Sequence, residues 1–359
     1  MKFFGLIPQR FLGIDIGTSA IKLVEVSSWA GRRKLENYGE ISAAAIYEKP
    51  FRTLEKNTLL LARRDVSRAI KAIIEEAKIK SRRAVFSIPD FSTFFTTFKL
   101  PPMSPEEIPQ AVQAEARRHI PIPLGEVTLD WQLMNQFRKP KETQELEVLM
   151  VTVPNEVINQ YRGIAGDLKL ELLALEAEVF AMMRSLLDKD EREPIALIDI
   201  GARSTTCSII DKRALKVSHS FDISGNSLTE RVSKALSIEP NEAELLKKEH
   251  GIALSAEGKE KNNIREILLP LVDLVVMETE KVIRNFYLKE KKEIEKMILA
   301  GGEALLPGLL EYFKEHFGKE IKVANPFSQI FFPPILDQTL EEMGPSYVIA
   351  LGAALRGLE

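Results

Sequence analysis

Ile14-Asp15-Ile16-Gly17 recurs half a chain later as Ile198-Asp199-Ile200-Gly201. An internal repeat constrains a fold strongly, because both copies must belong to similar supersecondary units. Each copy ends an apolar run, passes through a turn of small and hydroxyl-bearing residues, and returns into a second apolar run. The first turn is Gly17-Thr18-Ser19 and the second is Gly201-Ala202-Arg203-Ser204-Thr205-Thr206. The pattern predicts two related α/β halves, each opened by a strand–turn–strand.

Such turns suit phosphate. Glycine lets the backbone bend tightly and approach an oxyanion closely. Successive N–H groups in the turn form an anion-binding concavity, and the hydroxyls of Thr18, Ser19, Ser204 and Thr205 add donors. Asp15 and Asp199, at the strand ends, would repel phosphate unless a cation lies between them. Mg²⁺, which keeps several of its waters, fits that place. Lys22 stands one strand-turn on and can neutralise a phosphate oxygen. A third element is Leu299-Ala300-Gly301-Gly302-Glu303, followed by Leu306-Pro307-Gly308. It reads as a strand ending in paired glycines before a helix, a flat backbone surface for a base or ribose. One Asp-x-Gly turn alone would be an ordinary hairpin; the two copies together with the glycine pair carry the expectation of a nucleotide cleft.

Bulk composition sets the outer limits. A chain of 359 residues exceeds one small core and allows two domains. The net charge of -3 gives no general reason to expect nucleic acid. A single cysteine, Cys207, excludes an internal disulfide framework, a cysteine-based zinc cluster and paired-thiol chemistry, and suits a reducing compartment. No apolar run approaches the roughly 20 residues that span a bilayer. The N-terminal run MKFFGLIPQR departs from a signal peptide, since Arg10 interrupts it and no small-residue cleavage site follows. It reads as a leader strand with two exposed aromatics, or as a segment that touches a partner or a membrane surface.

Periodicity orders the rest. Strands are expected within 11–26, at 35–41 and at 84–88, with an amphipathic helix over 65–78. Ser104-Pro105-Glu106-Glu107 reads as a capping box opening a helix that ends in Arg117, Arg118 and His119. Strands at 94–100, 127–134 and 146–153, the last two joined by a polar hairpin, and a helix over 155–167 make 90–168 an inserted α/β subdomain. The first lobe is then 1–89 and 169–193. Strands at 195–200 and 205–210 open a second lobe of 194–224 and 288–359. Helices over 227–236, 241–249 and 263–287 form a small helical subdomain, 225–287, with Pro270 kinking or starting the last. A strand at 297–299 and helices over 305–317 and 348–355 close the chain.

These elements resemble the actin/Hsp70/sugar-kinase superfamily. The resemblance implies a two-lobed, duplicated actin-like fold of ribonuclease H-like halves, binding ATP and Mg²⁺. It makes Asp15 to Lys22 the first phosphate loop, Asp199 to Thr205 the second, and Ala300 to Gly308 an adenosine motif that brings in Gly301, Gly302, Glu303 and Leu306. Residues 175–184 and 347–357 resemble the two connecting helices. An acidic residue on the first positions the attacking water, which implies Glu178, with Glu176 as the alternate. Glu280, Lys281 and Arg284 fall where ribose and base contacts occur, or on a solvated charged face. Arg203 replaces a glycine of actin that faces the terminal phosphate.

Within the superfamily the chain is most similar to the PilM family of type IV pilus assembly. The sharpest match is Leu100, Pro101, Met103, Ser104, Glu115, Ala116, Ile120, Pro121 and Asp130 in the insertion. The resemblance implies a cytoplasmic scaffold on the inner face of the membrane, with at most slow ATPase activity. It would hold the N-terminal peptide of a PilN-like membrane protein between the insertion and the first lobe. Pilus motor ATPases and self-association are further implied contacts. Phe91, Phe94, Phe95 and Phe98 are candidates for the groove lining, or strand core. The alternatives are an FtsA-like division filament, whose tail and amphipathic membrane helix have no counterpart before Glu359, and a small-molecule kinase, which would need a base beside a substrate hydroxyl.

Overall fold

A computed structural model describes residues 9–43, 63–134, 145–254 and 259–359. In the first lobe β1 (Gln9–Ile16), β2 (Ala20–Trp29) and β3 (Arg32–Ser42) form an antiparallel meander. After helix α1 (Arg63–Glu76), β4 (Arg83–Ile88) joins β1 in parallel. The chain then builds a separate sheet from β5 (Phe94–Leu100), β6 (Val127–Leu133) and β7 (Leu146–Pro154), with α2 (Ile108–His119) between the first two. It returns through α3 (Asn155–Asp167) to β8 (Glu171–Ala177), which completes the order β3-β2-β1-β4-β8.

Helix α4 (Glu178–Leu186) leads into the second lobe. There β9 (Ile195–Ile200), β10 (Thr205–Asp211) and β11 (Ala214–Phe221) repeat the meander. Helices α5 (Gly225–Leu236), α6 (Pro240–His250) and α7 (Lys259–Glu290) follow. Then β12 (Lys296–Ala300), α8 (Leu309–Phe317), β13 (Glu320–Val323) and α9 (Asp337–Arg356) end the chain. The second order, β11-β10-β9-β12-β13, reproduces the first strand for strand. This is the duplicated two-lobed arrangement expected from the repeat.

Burial follows the same logic in both halves. Val66, Ala69, Ile70, Ile73 and Ile74 share one face of α1 and pack on Leu12, Ile14, Leu23 and Phe86. Each such side chain contributes about 1.5–3 kcal/mol by leaving water. The lobes are joined by α4 and α9, which pack on one another while α9 also covers β1, β2 and β4. The approach is close enough that a Cβ on Gly352 would overlap the backbone carbonyl of Ala181.

Several expectations shift. Helix α3, expected as part of the insertion of 90–168, buries Val157, Ile158, Tyr161 and Ile164 in the first-lobe core, and the insertion's sheet ends at Pro154. Residues 175–177 belong to β8, not to a connecting helix, because they pair in parallel with β4. Glu107 does accept from the Ser104 N–H at 2.9 Å, as a capping box requires, but α2 starts at Ile108. Pro270 lies inside α7 rather than at its start. Helix α8 begins at Leu309, and α9 begins well before 348, with Pro345 inside it. Strands β8, β11 and β13 were not among the expected elements. Most of the expected hairpin between β6 and β7 lies outside the described residues.

Candidate nucleotide cleft and a second groove

The two repeated turns face each other across a cleft of about 560 Å³. Strand β1, and β8 running into α4, deliver Asp15 and Glu178 to its floor from one lobe, while Asp90, just past β4, is hydrogen-bonded to Glu178. β9 delivers Asp199 from the other. Ligands of open α/β sheets characteristically bind beyond such carboxyl ends. Asp15 accepts a hydrogen bond from Ser87 Oγ at 2.9 Å and sits directly across from Lys22 on β2. Lys22 Nζ lies 5.9 Å from the ring centre of Tyr347.

Asp90 and Glu178 hold each other. The Asp90 N–H donates to Glu178 Oε2 at 3.1 Å, and the Val179 N–H donates to Asp90 Oδ1 at 3.3 Å. Asp90 was missed from sequence, although an acid directly after a strand closed by Pro89 was a usable signal. Burial pushes all four carboxyls up. Asp90 reaches about 7, with the Asp199 charge adding to the effect. Asp199 reaches about 6, raised by burial and then by Asp15, while Lys22 pulls it down. Glu178 stands well above the carboxylate range through burial and its neighbours Asp90, Asp15 and Asp199. Asp15 is raised by burial against the pull of Lys22 and Ser87.

A crowd of acids that resists ionisation suits a cation. Among the described residues no three Asp, Glu, His or Cys side chains are arranged to hold a metal ion by themselves. A cation seated here would take most of its ligands from water and phosphate, as Mg²⁺ does.

The second turn is braced from below. The Gly201 N–H donates to the Ser204 carbonyl at 3.0 Å, and the Gly225 and Asn226 N–H groups donate to Gly201 and Ala202 at 3.0 Å each. This seats the turn on the N-terminus of α5, whose partial positive charge favours an anion. Arg203 crosses the cleft and stacks 4.7 Å over the Phe91 ring. Gly301, at φ +91, donates its N–H to the Pro345 carbonyl at 2.9 Å. A Cβ there would lie 2.5 Å from Asp199 Oδ1.

Not every expected residue reaches the cleft. Gly17, Thr18, Ser19, Lys22, Gly201, Ser204, Gly301, Gly302 and Glu303 line it with Asp15, Asp199 and Glu178. Thr205 does not; its hydroxyl turns away to donate to the Ile223 carbonyl at 2.6 Å, and Thr206 faces the cleft instead. Leu306 is core, packed with Leu309 and Phe313. Glu280 and Lys281 are on the outer face of α7, where Glu280 meets His316 at 2.9 Å and Lys281 meets Glu278 at 2.6 Å. Their expected place is taken by α6, whose Glu244, Lys247 and Lys248 line the cleft. Lys247 is fully buried and lies 2.8 Å from both Glu244 and Glu303. The i, i+3 spacing of Glu244 and Lys247 put them on one helical face and could have been read.

A second cavity of about 640 Å³ runs between the insertion and the first lobe. Its walls include β6 and β8, each the edge strand of its sheet. Asp130, Trp131, Leu173, Phe180 and Arg184 line it. The Phe91–Phe98 run does not. Phe98 is core, stacked on His119 at 5.5 Å; Phe95 packs edge-on against Phe180 at 6.1 Å; Phe91 lies in the nucleotide cleft.

The model of the family described as type IV pilus assembly protein PilM matches residues 13–358. The chain belongs to the PilM family. The structure of a PilM–PilN type IV pilus biogenesis complex is similar to it, with a TM-score of 0.84 at 24% identity, covering 97% of this chain and 98% of that one. The wider fold is actin-like. MreB5 of Spiroplasma citri, solved with AMPPNP bound, has a TM-score of 0.52 at 15% identity, covering 97% of this chain and 95% of that one. Among curated relatives, the cell division protein FtsA of Streptococcus pneumoniae is 21% identical over 353 residues, 88% of this chain and 75% of that protein. FtsA of Bacillus subtilis is 24% identical over 200 residues, 51% of this chain and 45% of that protein. Among the described residues no helix is long and apolar enough to cross a membrane.

Proposed function

We propose that this PilM-family chain is an ATP-binding scaffold of pilus assembly, working on the cytoplasmic face of the inner membrane. One observation carries the reading. Asp15, Asp199 and Glu178 line the cleft between two glycine-and-hydroxyl turns, with Asp90 held against Glu178, and a cation there would offset the burial and mutual repulsion of these carboxyls. The turns at Gly17–Ser19 and Gly201–Ser204 would hold the phosphates, Asp15 and Asp199 a hydrated Mg²⁺, and Lys22 a phosphate oxygen. The Gly301–Glu303 turn with Glu244 and Lys247 would hold the nucleoside. Hydrolysis would be slow. Glu178 is the residue placed to orient water, but it already accepts from the Asp90 N–H, and burial and the neighbouring acids push its carboxyl well above the carboxylate range.

The second groove would take the cytoplasmic N-terminal peptide of a PilN-like membrane protein. Two open strand edges facing one another suit an extended chain, which can add main-chain hydrogen bonds while Trp131 and Phe180 supply apolar contact. Glu176 faces this groove in an ion pair with Arg184 at 2.6 Å, while Glu178, on the same strand-to-helix junction, faces the nucleotide. The test is capture of such a peptide by the full chain with and without Mg-ATP. Capture that is lost in Trp131→Ala supports the reading; no capture of any inner-membrane pilus peptide, with nucleotide-dependent filaments instead, would move it to an FtsA-like role.

A further inference from the structure

The end of the first-lobe sheet remote from the nucleotide carries features that neither the cleft nor the groove uses. Strands β1, β4 and β8 run parallel toward the cleft, so their starting residues and the β2–β3 hairpin gather at the opposite end. Trp29, at the hairpin tip, is 61% exposed. The loop before α9 is stitched to the open edge of β3 beside it: the Phe331 N–H donates to the Arg33 carbonyl at 3.0 Å, and the Leu35 N–H donates to the Phe331 carbonyl at 2.9 Å. That seam brings Phe331, 65% exposed, to the same end.

Cations surround these apolar tips. Arg32, Lys34, Lys78, Lys80 and Arg82 are exposed on the hairpin and on the approach to β4. Arg10 is engaged with Glu25 at 3.5 Å and Glu36 at 3.2 Å, and Lys34 also reaches Glu36 at 3.5 Å. The exposed acids at this end include, among the described residues, Glu75 and Glu76, where α1 finishes, Glu171, where β8 starts, Asp167, paired with Arg63, and Glu359, paired with Arg184 and Arg356. The chain also enters here: Gln9, the first described residue, pairs with Ser28, next to Trp29.

We propose that this end of the first lobe docks directly on an anionic lipid surface, independently of nucleotide and of any peptide partner. Trp29 is of the residue type that settles at the headgroup level, with Phe331 as a shallow apolar anchor. The surrounding Lys and Arg side chains supply the second signal that stable peripheral binding needs, each worth about a five-fold gain in partition near an anionic bilayer. Docked this way, the nucleotide turns at the far end of the strands face the cytoplasm.

The test is co-sedimentation of the full chain with vesicles of phosphatidylglycerol and phosphatidylethanolamine, or of phosphatidylcholine alone. Binding to the anionic vesicles is expected, weakening with salt. Arg32→Glu with Arg82→Glu, and separately Trp29→Ala with Phe331→Ala, should each lower partition at least ~10-fold and leave the unfolding midpoint and Mg-ATP affinity unchanged. Equal binding to both vesicle types, no binding to either, or variants that bind like the parent would overturn the proposal. Loss of a protein partner in these variants without any vesicle binding would make the surface a protein-docking face and equally refute the lipid assignment.

Discussion

Replacing Lys247 with methionine removes the cation that two carboxylates of the second lobe share. Its ammonium lies 2.8 Å from Glu303, 2.8 Å from Glu244 and 3.3 Å from the Gly225 carbonyl, tying α6 to the start of α5 and to the glycine-pair turn. Glu303 is 8% exposed, so without the ammonium its charge is left desolvated. Removing one partner of a buried pair costs about 3–5 kcal/mol. Glu244 adds little to that figure, because water reaches a third of its side chain. Urea unfolding should therefore show a loss of about 3–4 kcal/mol for Lys247→Met, and clearly less than the sum of the single losses for Lys247→Met with Glu303→Gln. The expected coupling is about 1–3 kcal/mol. Nucleotide affinity should fall in the single variant, since the same three elements line the cleft. A loss below about 1 kcal/mol, or strict additivity, would refute the reasoning.

Further outcomes follow from the carboxyl cluster, the glycine turn and the groove. Folded Asp90 and Asp199 hold protons up to about 7 and about 6, whereas the unfolded chain has lost them above 3.8. Nucleotide-free stability should therefore fall as pH rises from 4 toward about 7, by a few kcal/mol at most, and Asp90→Asn should flatten the slope in urea midpoints; a rise with pH contradicts this. Gly301→Ala, at φ +91 and against the Ile200 carbonyl, should cost about 1–3 kcal/mol by thermal unfolding and abolish nucleotide binding. The neighbouring Gly302→Ala meets open space and should stay within about 0.5 kcal/mol. Arg184→Ala frees Glu176 beside the groove and should weaken peptide capture at least ~10-fold by fluorescence anisotropy, with unchanged ATP affinity.

Both lobes and the insertion were legible because they depend on local signals. A repeated strand-end Asp followed by a glycine turn points to two acids, Asp15 and Asp199, that line one cleft, without any tertiary information. The misses came where packing decides. Glu-Leu-Leu-Ala-Leu-Glu-Ala has good helix propensity, yet it is β8, because parallel pairing beside β4 overrides propensity. Thr205 and Thr206 are adjacent hydroxyls, and only strand pairing determines which one faces the cleft. Glu280 and Lys281 resemble cleft residues in type, but α7 turns that side outward and α6 presents Glu244 and Lys247 instead. Asp90 was passed over because its partner Glu178 lies on a distant stretch of chain, and only the neighbouring β4 and β8 bring them together.

The central claim is a Mg²⁺–nucleotide site between Asp15 and Asp199. Isothermal titration of ATP in the presence of Mg²⁺, on the parent chain and on Asp15→Ala with Asp199→Ala, addresses it directly. Binding to the parent and at least ~100-fold weaker binding to the double variant are expected. The nucleotide-free double variant is also expected to be no less stable than the parent, since two carboxylates that burial disfavours are gone. Parent-like ATP affinity in a folded double variant would contradict the claim.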